Sequence, residues 1–271
     1  MGKNQLMYNR FQLAKKFLHY YLTASNGKGH GIHSPFVFDF ITNVLNDKKN
    51  YECYYSIEKL RKELLHDKRI ITVEDFGAGS SVIPLNKRVI KDIAASSPKP
   101  KKFAQLLFRI AYYYKPETII ELGTSFGITA SYLACANKTS EIFTLEGSKN
   151  IATIAQGNFK KPGLQNVKLI QGNFDDTLPE LLLQIKKIDL AFVDGNHRKV
   201  PTLKYFQQFL KKFTDQSIFI FDDIHWSAEM EEAWKEIQQH PAVTLSIDLF
   251  FIGLVFFKKD FKAKQHFVIR F

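Results

Sequence analysis

The stretch Thr118-Ile-Ile-Glu-Leu-Gly-Thr-Ser-Phe-Gly-Ile-Thr-Ala-Ser-Tyr-Leu-Ala134 constrains this chain most. A short apolar run ends in Glu121, a turn bearing Gly123 and Gly127 follows, and good helix formers begin at once. A strand that feeds a helix through a tight glycine turn is how α/β proteins bring backbone N–H groups against a nucleotide-like ligand. The glycines allow close approach, and the helix N-terminus favours negative charge. A second apolar run, Glu141-Ile-Phe-Thr-Leu-Glu146, ends in an acid 25 positions after Glu121. A carboxylate there can accept both hydroxyls of a ribose. An ordinary βαβ turn has the same local pattern. The G-x-G-x-x-G spacing that fits a pyrophosphate is absent, since this turn reads Gly-Thr-Ser-Phe-Gly.

From this turn onward strand and helix alternate. Strand-like runs fall at 118–122, 141–146, 167–171, 188–193 and 217–221, with helical stretches near 127–137, 148–159, 177–186, 199–212 and 227–239. Such alternation predicts a parallel sheet covered on both faces. The end differs: Val243 to Phe250 and Ile252 to Phe257 are strand-like with almost nothing between them, which permits only an antiparallel hairpin. Residues 1–116 read mainly helical, with helices expected over Gln5–Thr23, Phe36–Leu45, Tyr54–His66 and Lys101–Tyr114. Ser34-Pro35 reads as a helix start with Ser34 as N-cap. Lys87 to Lys102, rich in Ser and Pro, reads as a mobile connection.

The formal net charge of +11 is uneven. Residues 1–116 hold 20 Lys+Arg against 9 Asp+Glu, whereas residues 117–271 hold 18 of each. A basic segment can attract nucleic acid, an anionic membrane or an acidic substrate. Its lysines are scattered rather than run together, which favours a solvated face over a nucleic-acid surface. The apolar runs are too short to span a bilayer and no signal-peptide layout is visible, so no membrane partner is expected and the setting reads as cytoplasmic. The two cysteines, Cys53 and Cys135, show neither metal spacing nor a disulfide framework, and Cys135 reads as core.

The E-x-G-x-S-x-G turn of Glu121, Gly123, Ser125 and Gly127, with Glu146 downstream, resembles the S-adenosylmethionine (SAM) site of class I methyltransferases. The terminal hairpin is similar to that family's sheet, whose last strand inserts antiparallel. Gln171-Gly-Asn-Phe-Asp-Asp-Thr177 resembles the third strand end and following turn of small-molecule O-methyltransferases. The resemblance implies a Rossmann-like α/β fold over 117–271 with a helical, basic extension or lid over 1–116. It implies that Glu146 holds the ribose, that the Gly123–Gly127 turn and Thr129 hold the methionine end, and that Asn173, Phe174 and Asp175 line the adenine pocket. Read without the family, Asp175 or Asp176 is an N-cap for a helix starting at Thr177.

Two further acids end strand-like runs, Asp194 after Ile188–Val193 and Asp222-Asp223 after Ser217–Phe221. Carboxylates gathered at one sheet edge repel unless a proton or cation is shared, and a hard divalent ion such as Mg2+ resolves this. The spacing is similar to that of bacterial O-methyltransferases of the catechol O-methyltransferase-like group, which implies Asp194, Asp222 and Asp223 as metal ligands and places Asp194 also at the cofactor. The competing reading gives one Asp to helix capping and another to orienting a histidine. His197 stands where the catechol-type enzymes carry a lysine base; histidine titrates near neutrality and suits that role, although a lone histidine is more often structural. His225 is a second candidate base, and His30 and His33 beside the glycine-rich 26–31 segment are weaker candidates for a substrate lid.

Ile70 to Ser80 also runs a strand-like segment into a Gly-Ala-Gly loop. No second strand ending in an acid follows at the right distance, so Gly77 and Gly79 read as a structural or lid loop. The combined expectation is a SAM-dependent methyltransferase acting on a small hydroxylated molecule, with a second copy of the chain as a candidate partner. The rivals are an RNA or protein methyltransferase docking through the basic extension, and a SAM-binding module without turnover.

Overall fold

The computed structural model describes residues 7–74, 86–161 and 163–271. Gly77 and Gly79 therefore lie outside the described residues. Packing divides the chain into two compact units, Asp47–Lys186 and Met1–Asn46 with Lys187–Phe271. The change in charge at 116/117 does not coincide with this division, because helices on the basic side, Glu52–His66 and Lys101–Tyr114, pack on helix Ile128–Ala136 beyond it.

In the unit Asp47–Lys186 the strands are β1 (Ile70–Val73), β2 (Asn86–Val89), β3 (Thr118–Leu122), β4 (Glu141–Glu146) and β5 (Val167–Gln171). β4 runs parallel between β3 and β5, with Glu121 paired to Thr144 and Glu146 to Gln171. Ile119, Ile120, Leu122, Ile142 and Leu145 are fully buried, as expected of short apolar runs in a sheet covered on both faces. Helix Lys101–Tyr114 buries Phe103, Leu106, Leu107, Ile110 and Ala111, the i, i+3, i+4, i+7, i+8 set of one helical face. It stops at Lys115, which is left-handed (φ 48°), just before Pro116.

The expected mobile connection over 87–102 is ordered. β2 pairs antiparallel with β1, and helix Ile90–Ser96 buries Ile90, Ile93 and Ala94 against helix Glu52–His66. Its apolar spacing outweighs the Ser and Pro residues that follow. The helix after β5 begins at Phe174 rather than Thr177, because the Asn173 side chain accepts the Asp175 backbone N–H at 3.0 Å. Asn173 is thus the N-cap, and Asp175 and Asp176 occupy the first turn, where negative charge suits the helix dipole.

In the other unit, helix Arg10–Thr23 opens with a capping box between Asn9 and Gln12. Helix Pro35–Phe40 continues into a π-helical turn, Ile41–Leu45. Ser34 holds the N-cap position but makes no capping bond, so Pro35 with its fixed φ sets this start. β6 (Ile188–Val193) and β7 (Phe213–Asp222) are parallel, with helix Lys199–Phe209 between them. After helix Ala228–Gln239 come β8 (Leu245–Asp248) and β9 (Ile252–Phe256), the expected antiparallel hairpin, with β9 also antiparallel to β7. A further strand, β10 (Gln265–Val268), lies parallel to β8. Its alternating half-buried and exposed residues carry too weak a pattern to stand out in the sequence. The N-terminal helix is tied to this last segment: Tyr20 Oη donates to the Ile269 carbonyl at 2.5 Å, and Ser25 bridges Ile269.

Candidate active site

The turn after β3 is built to hold a sharp shape. Gly123 (φ 102°), Ser125 (φ 47°) and Gly127 (φ 80°) are all left-handed. The Gly123 and Thr124 N–H groups both donate to the Leu145 carbonyl, at 3.0 and 3.1 Å, and so anchor the turn to β4. From the other side, helix Lys149–Lys160 fixes it twice. Asn158 Nδ2 donates to the Phe126 carbonyl at 3.0 Å, and the Phe159 ring lies under Gly127, where an added Cβ would meet it at 2.5 Å.

Glu146, at the end of β4, faces this turn. Its Oε2 accepts the Ser125 N–H at 2.9 Å and its Oε1 the Ser148 N–H at 3.0 Å. Burial pushes the Glu146 carboxyl above the ordinary glutamate range, against backbone N–H groups of Ser148, Ser125 and Gly147 that favour the charged form. The Ser125 and Ser148 hydroxyls beside it are buried and make no hydrogen bond among the described residues. Glu121 is fully buried and accepts from its cross-strand partner, Thr144 Oγ1, at 2.5 Å; Thr144 in turn meets Thr124 Oγ1 at 2.6 Å. Neither threonine was singled out in the sequence, yet the register Glu121↔Thr144 makes the contact inevitable. Thr129 is buried in helix Ile128–Ala136, Phe174 is half-buried and Asp175 is exposed.

In the other unit the β6–β7 register pairs Val193 with Phe221, which carries Asp194 alongside Asp222. Asp194, His197 and Asp222 each offer a ligand atom, all within 4.8 Å of one another. His197 Nε2 is 3.7 Å from Asp194 Oδ1, and its Nδ1 is 4.0 Å from Asp223 Oδ2. Asp222 is buried, whereas Asp194, His197 and Asp223 are half-buried and open to a reactant. Asp223 is left-handed (φ 52°) and donates its N–H to the Phe251 carbonyl at 2.7 Å, which turns the chain sharply off the strand end.

His225 is held differently. Its Nδ1 meets Glu231 Oε1 at 2.9 Å and its Nε2 meets Asp248 Oδ2 at 2.8 Å, and its ring stacks on Phe250. Burial opposes a charge on this ring, but Asp248 and then Glu231 outweigh it and raise its pKa. Trp234 Nε1 also donates to Asp248 at 3.2 Å, and Lys16 and Tyr8 bond Glu231 from the N-terminal segment. Asp248 and Glu231 carried no sequence signal beyond being acids at a strand end and in a helix first turn. His30 and His33 are exposed and stand apart from these bonds.

Comparison with known proteins agrees with this architecture. A methyltransferase-domain family model matches residues 120–224. A tRNA (guanine-N(7)-)-methyltransferase of Mycoplasma mobile is 29% identical over 114 residues, 40% of this chain; the chain spans only 56% of the length of that relative. Among solved structures, the SAH-bound methyltransferase PaMTH1 of Podospora anserina aligns over 96% of this chain and 100% of its own (TM-score 0.58, 15% identity). The SAH-bound O-methyltransferase of Bacillus cereus aligns over 82% and 97% (TM-score 0.55, 17% identity). The O-methyltransferase TomG of Streptomyces achromogenes, in complex with SAM, aligns over 78% and 91% (TM-score 0.56, 18% identity). Among the described residues no helix is long and apolar enough to cross a membrane. Over residues 120–224 the chain thus matches a methyltransferase domain, and it shares the Rossmann-like α/β fold of the solved methyltransferases.

Proposed function

We propose that this protein transfers the SAM methyl group to a hydroxyl of a small molecule, with His197 as the base. The observation that carries the proposal is the convergence of Asp194, His197 and Asp222 at the C-terminal ends of two adjacent parallel strands, the edge at which α/β sheets bind ligands. When bound, SAM supplies an electrophilic methyl group on a sulfonium. The residues of the β3 turn fit such a ligand. The Glu146 carboxylate keeps lone pairs for two ribose hydroxyls beyond the two N–H groups it already accepts, and the idle Ser125 and Ser148 hydroxyls lie beside it. Asn173, Phe174 and Asp175 are assigned to the adenine, and Glu121, Gly123, Gly127 and Thr129 to the shape and ligand face of the turn.

His197 takes the acceptor proton in its neutral form, and Asp194, 3.7 Å away, stabilises the imidazolium that results. His225 is the weaker base, since both of its nitrogens are already engaged by carboxylates. A divalent cation is a second reading, favoured by the mutual 4.8 Å reach of Asp194, His197 and Asp222, with Asp223 beside them. Held there, such an ion would lower the pKa of the acceptor hydroxyl.

The test is SAM turnover over a panel of phenols and other small alcohols, with RNA as a parallel acceptor. Wild-type protein is expected to methylate a member of the panel, and His197→Ala to lose roughly 10²–10⁴-fold in kcat while keeping its SAM affinity. Loss of turnover in chelator, with recovery on adding magnesium, selects the cation version. Methyl incorporation into RNA alone would overturn the small-molecule reading and promote the basic segment as a docking surface. SAM binding without any turnover would leave only the binding module.

A further inference from the structure

We propose that the outward face of helix Arg10–Thr23 is a docking surface for an anionic lipid bilayer. The inward face is already taken: Leu13, Phe17 and Tyr20 pack with Phe250 and Phe251 of the same unit. On the other side Phe11 is 80%, Leu18 57% and Leu22 70% exposed, and Ala14 and Tyr21 are exposed beside them. At about 100° per residue these five share one arc roughly 100° wide. Apolar residues scattered singly over a surface need no explanation, but a contiguous stripe marks an interaction site. The stripe is ready-made, because the Asn9–Gln12 capping box and the Tyr20 bond to the Ile269 carbonyl hold the helix in place. Docking therefore has no helix to order.

The charge of the rim selects the occupant. Arg10 stands at one edge of the arc and Lys15 at the other, with His19 beyond it, and all three are exposed. The Arg270 guanidinium adds a cation at the Tyr21 edge, 4.5 Å from that ring's centroid. Residues 1–38 hold five Lys+Arg and no Asp or Glu. Apolar residues flanked by cations on one helical face suit a helix that lies in the plane of a membrane surface. The apolar side chains enter the acyl boundary, tyrosine sits at headgroup level, and the cations meet lipid phosphates. Apolar runs too short to span a bilayer do not bar this arrangement, which needs no spanning length. A second copy of the chain fits worse. A two-fold contact would set the rim cations near their own counterparts, with no acid on the helix to offset them. A nucleic acid would use the cations but leave Phe11, Leu18 and Leu22 in water. The proposal is independent of the methyl acceptor, since it concerns neither the acid cluster nor Glu146.

The test floats the full chain with vesicles of phosphatidylglycerol and phosphatidylcholine in equal parts, and with vesicles of phosphatidylcholine alone. Wild-type protein is expected to bind the anionic vesicles at least about tenfold more strongly than the neutral ones, and to lose that advantage in high salt. Leu18→Gln combined with Leu22→Gln should lower anionic-vesicle binding at least about tenfold with thermal unfolding unchanged, since both side chains are exposed and glutamine suits a helix. Arg10→Gln combined with Lys15→Gln should lower binding about tenfold on the anionic vesicles only. Leu183→Gln, at an exposed leucine on helix Phe174–Gln184, controls for lost surface hydrophobicity and should bind as wild type. Light scattering without lipid reads the mass of each protein in parallel. No vesicle binding, binding indifferent to Leu18 and Leu22, or an equal loss in Leu183→Gln would overturn the proposal. So would a lipid-free dimer that dissociates in the Leu18 and Leu22 variant, which would give the face to a second copy.

Discussion

Replacing Gly127 with alanine tests whether the turn after β3 is as tightly determined as its geometry indicates. Gly127 sits at φ 80°, a left-handed conformation that costs an L-residue about 1–2 kcal/mol. The new Cβ would also stand 2.5 Å from Phe159 Cε1 and 2.7 Å from Cζ. Phe159 is only 2% exposed, so its ring cannot swing into solvent, and overpacking of this kind costs about 1–3 kcal/mol. The two contributions together predict that Gly127→Ala destabilises the protein by roughly 2–5 kcal/mol. Gly157, two residues before Phe159 on the same helix, is the control. A Cβ there meets nothing within 4 Å among the described residues and its φ is not left-handed, so Gly157→Ala should stabilise by about 0.5–1 kcal/mol through helix propensity alone. Urea denaturation of the two variants and of wild type reads both effects. Phe159→Leu combined with Gly127→Ala should recover part of the loss, since it removes the clash and leaves the backbone strain. A Gly127→Ala protein within about 0.5 kcal/mol of wild type would show that the turn relaxes freely and would refute the argument.

Glu146→Gln should weaken SAM by roughly 10–100-fold in calorimetry, because a charge-assisted hydrogen bond contributes about 1.5–3 kcal/mol; unchanged affinity in a folded variant would remove Glu146 from the site. His225 has a raised pKa in the folded protein. Its contribution to stability is therefore fully present below the unfolded value of about 6.5 and is lost as pH rises through the folded value. The urea midpoint of wild type should accordingly fall relative to that of His225→Gln as pH rises above about 6.5, and a gap independent of pH would refute the carboxylate sandwich of Glu231 and Asp248. Gly253→Ala, whose Cβ would stand 2.7 Å from the Trp234 ring, should destabilise by about 1–3 kcal/mol in the same assay, and a neutral result would mean that this ring is loosely packed.

The sequence is legible where one local pattern determines the outcome. β3, its glycine turn and the following helix could be read because an apolar run, two glycines and helix formers agree, and the β8–β9 hairpin because three residues cannot make a crossover. Asp194 beside Asp222 was legible as two acids each ending a strand, although the register that joins them belongs to the folded sheet. What escaped depends on distant partners. Helix Ile90–Ser96 is short and owes its place to the helix it packs on, and β10 exists because β8 offers it an edge. Asn173 took the cap from the two aspartates because its own side chain reaches Asp175 N–H, a competition that residue type alone leaves open. The second bond of His225, to Asp248, comes from a residue 23 positions away, and that neighbour occupies the ring nitrogen that Glu231 leaves.

The bonds between the N-terminal helix and the segment after β10 have a consequence for synthesis. The unit Asp47–Lys186 is one continuous stretch, whereas the unit holding Met1–Asn46 needs Lys187–Phe271 to close its core. At a translation rate of about 5–20 residues per second, the first helix waits roughly 10–50 s for Ile269, the carbonyl that accepts from Tyr20. Throughout that interval the apolar side of Leu13, Phe17 and Tyr20, which packs on Phe250 and Phe251 in the finished protein, is exposed on the nascent chain. Recognition by a nascent-chain chaperone would thus concentrate on the first two dozen residues, and moving them by circular permutation to follow Phe271 should abolish the wait while leaving the native contacts in place.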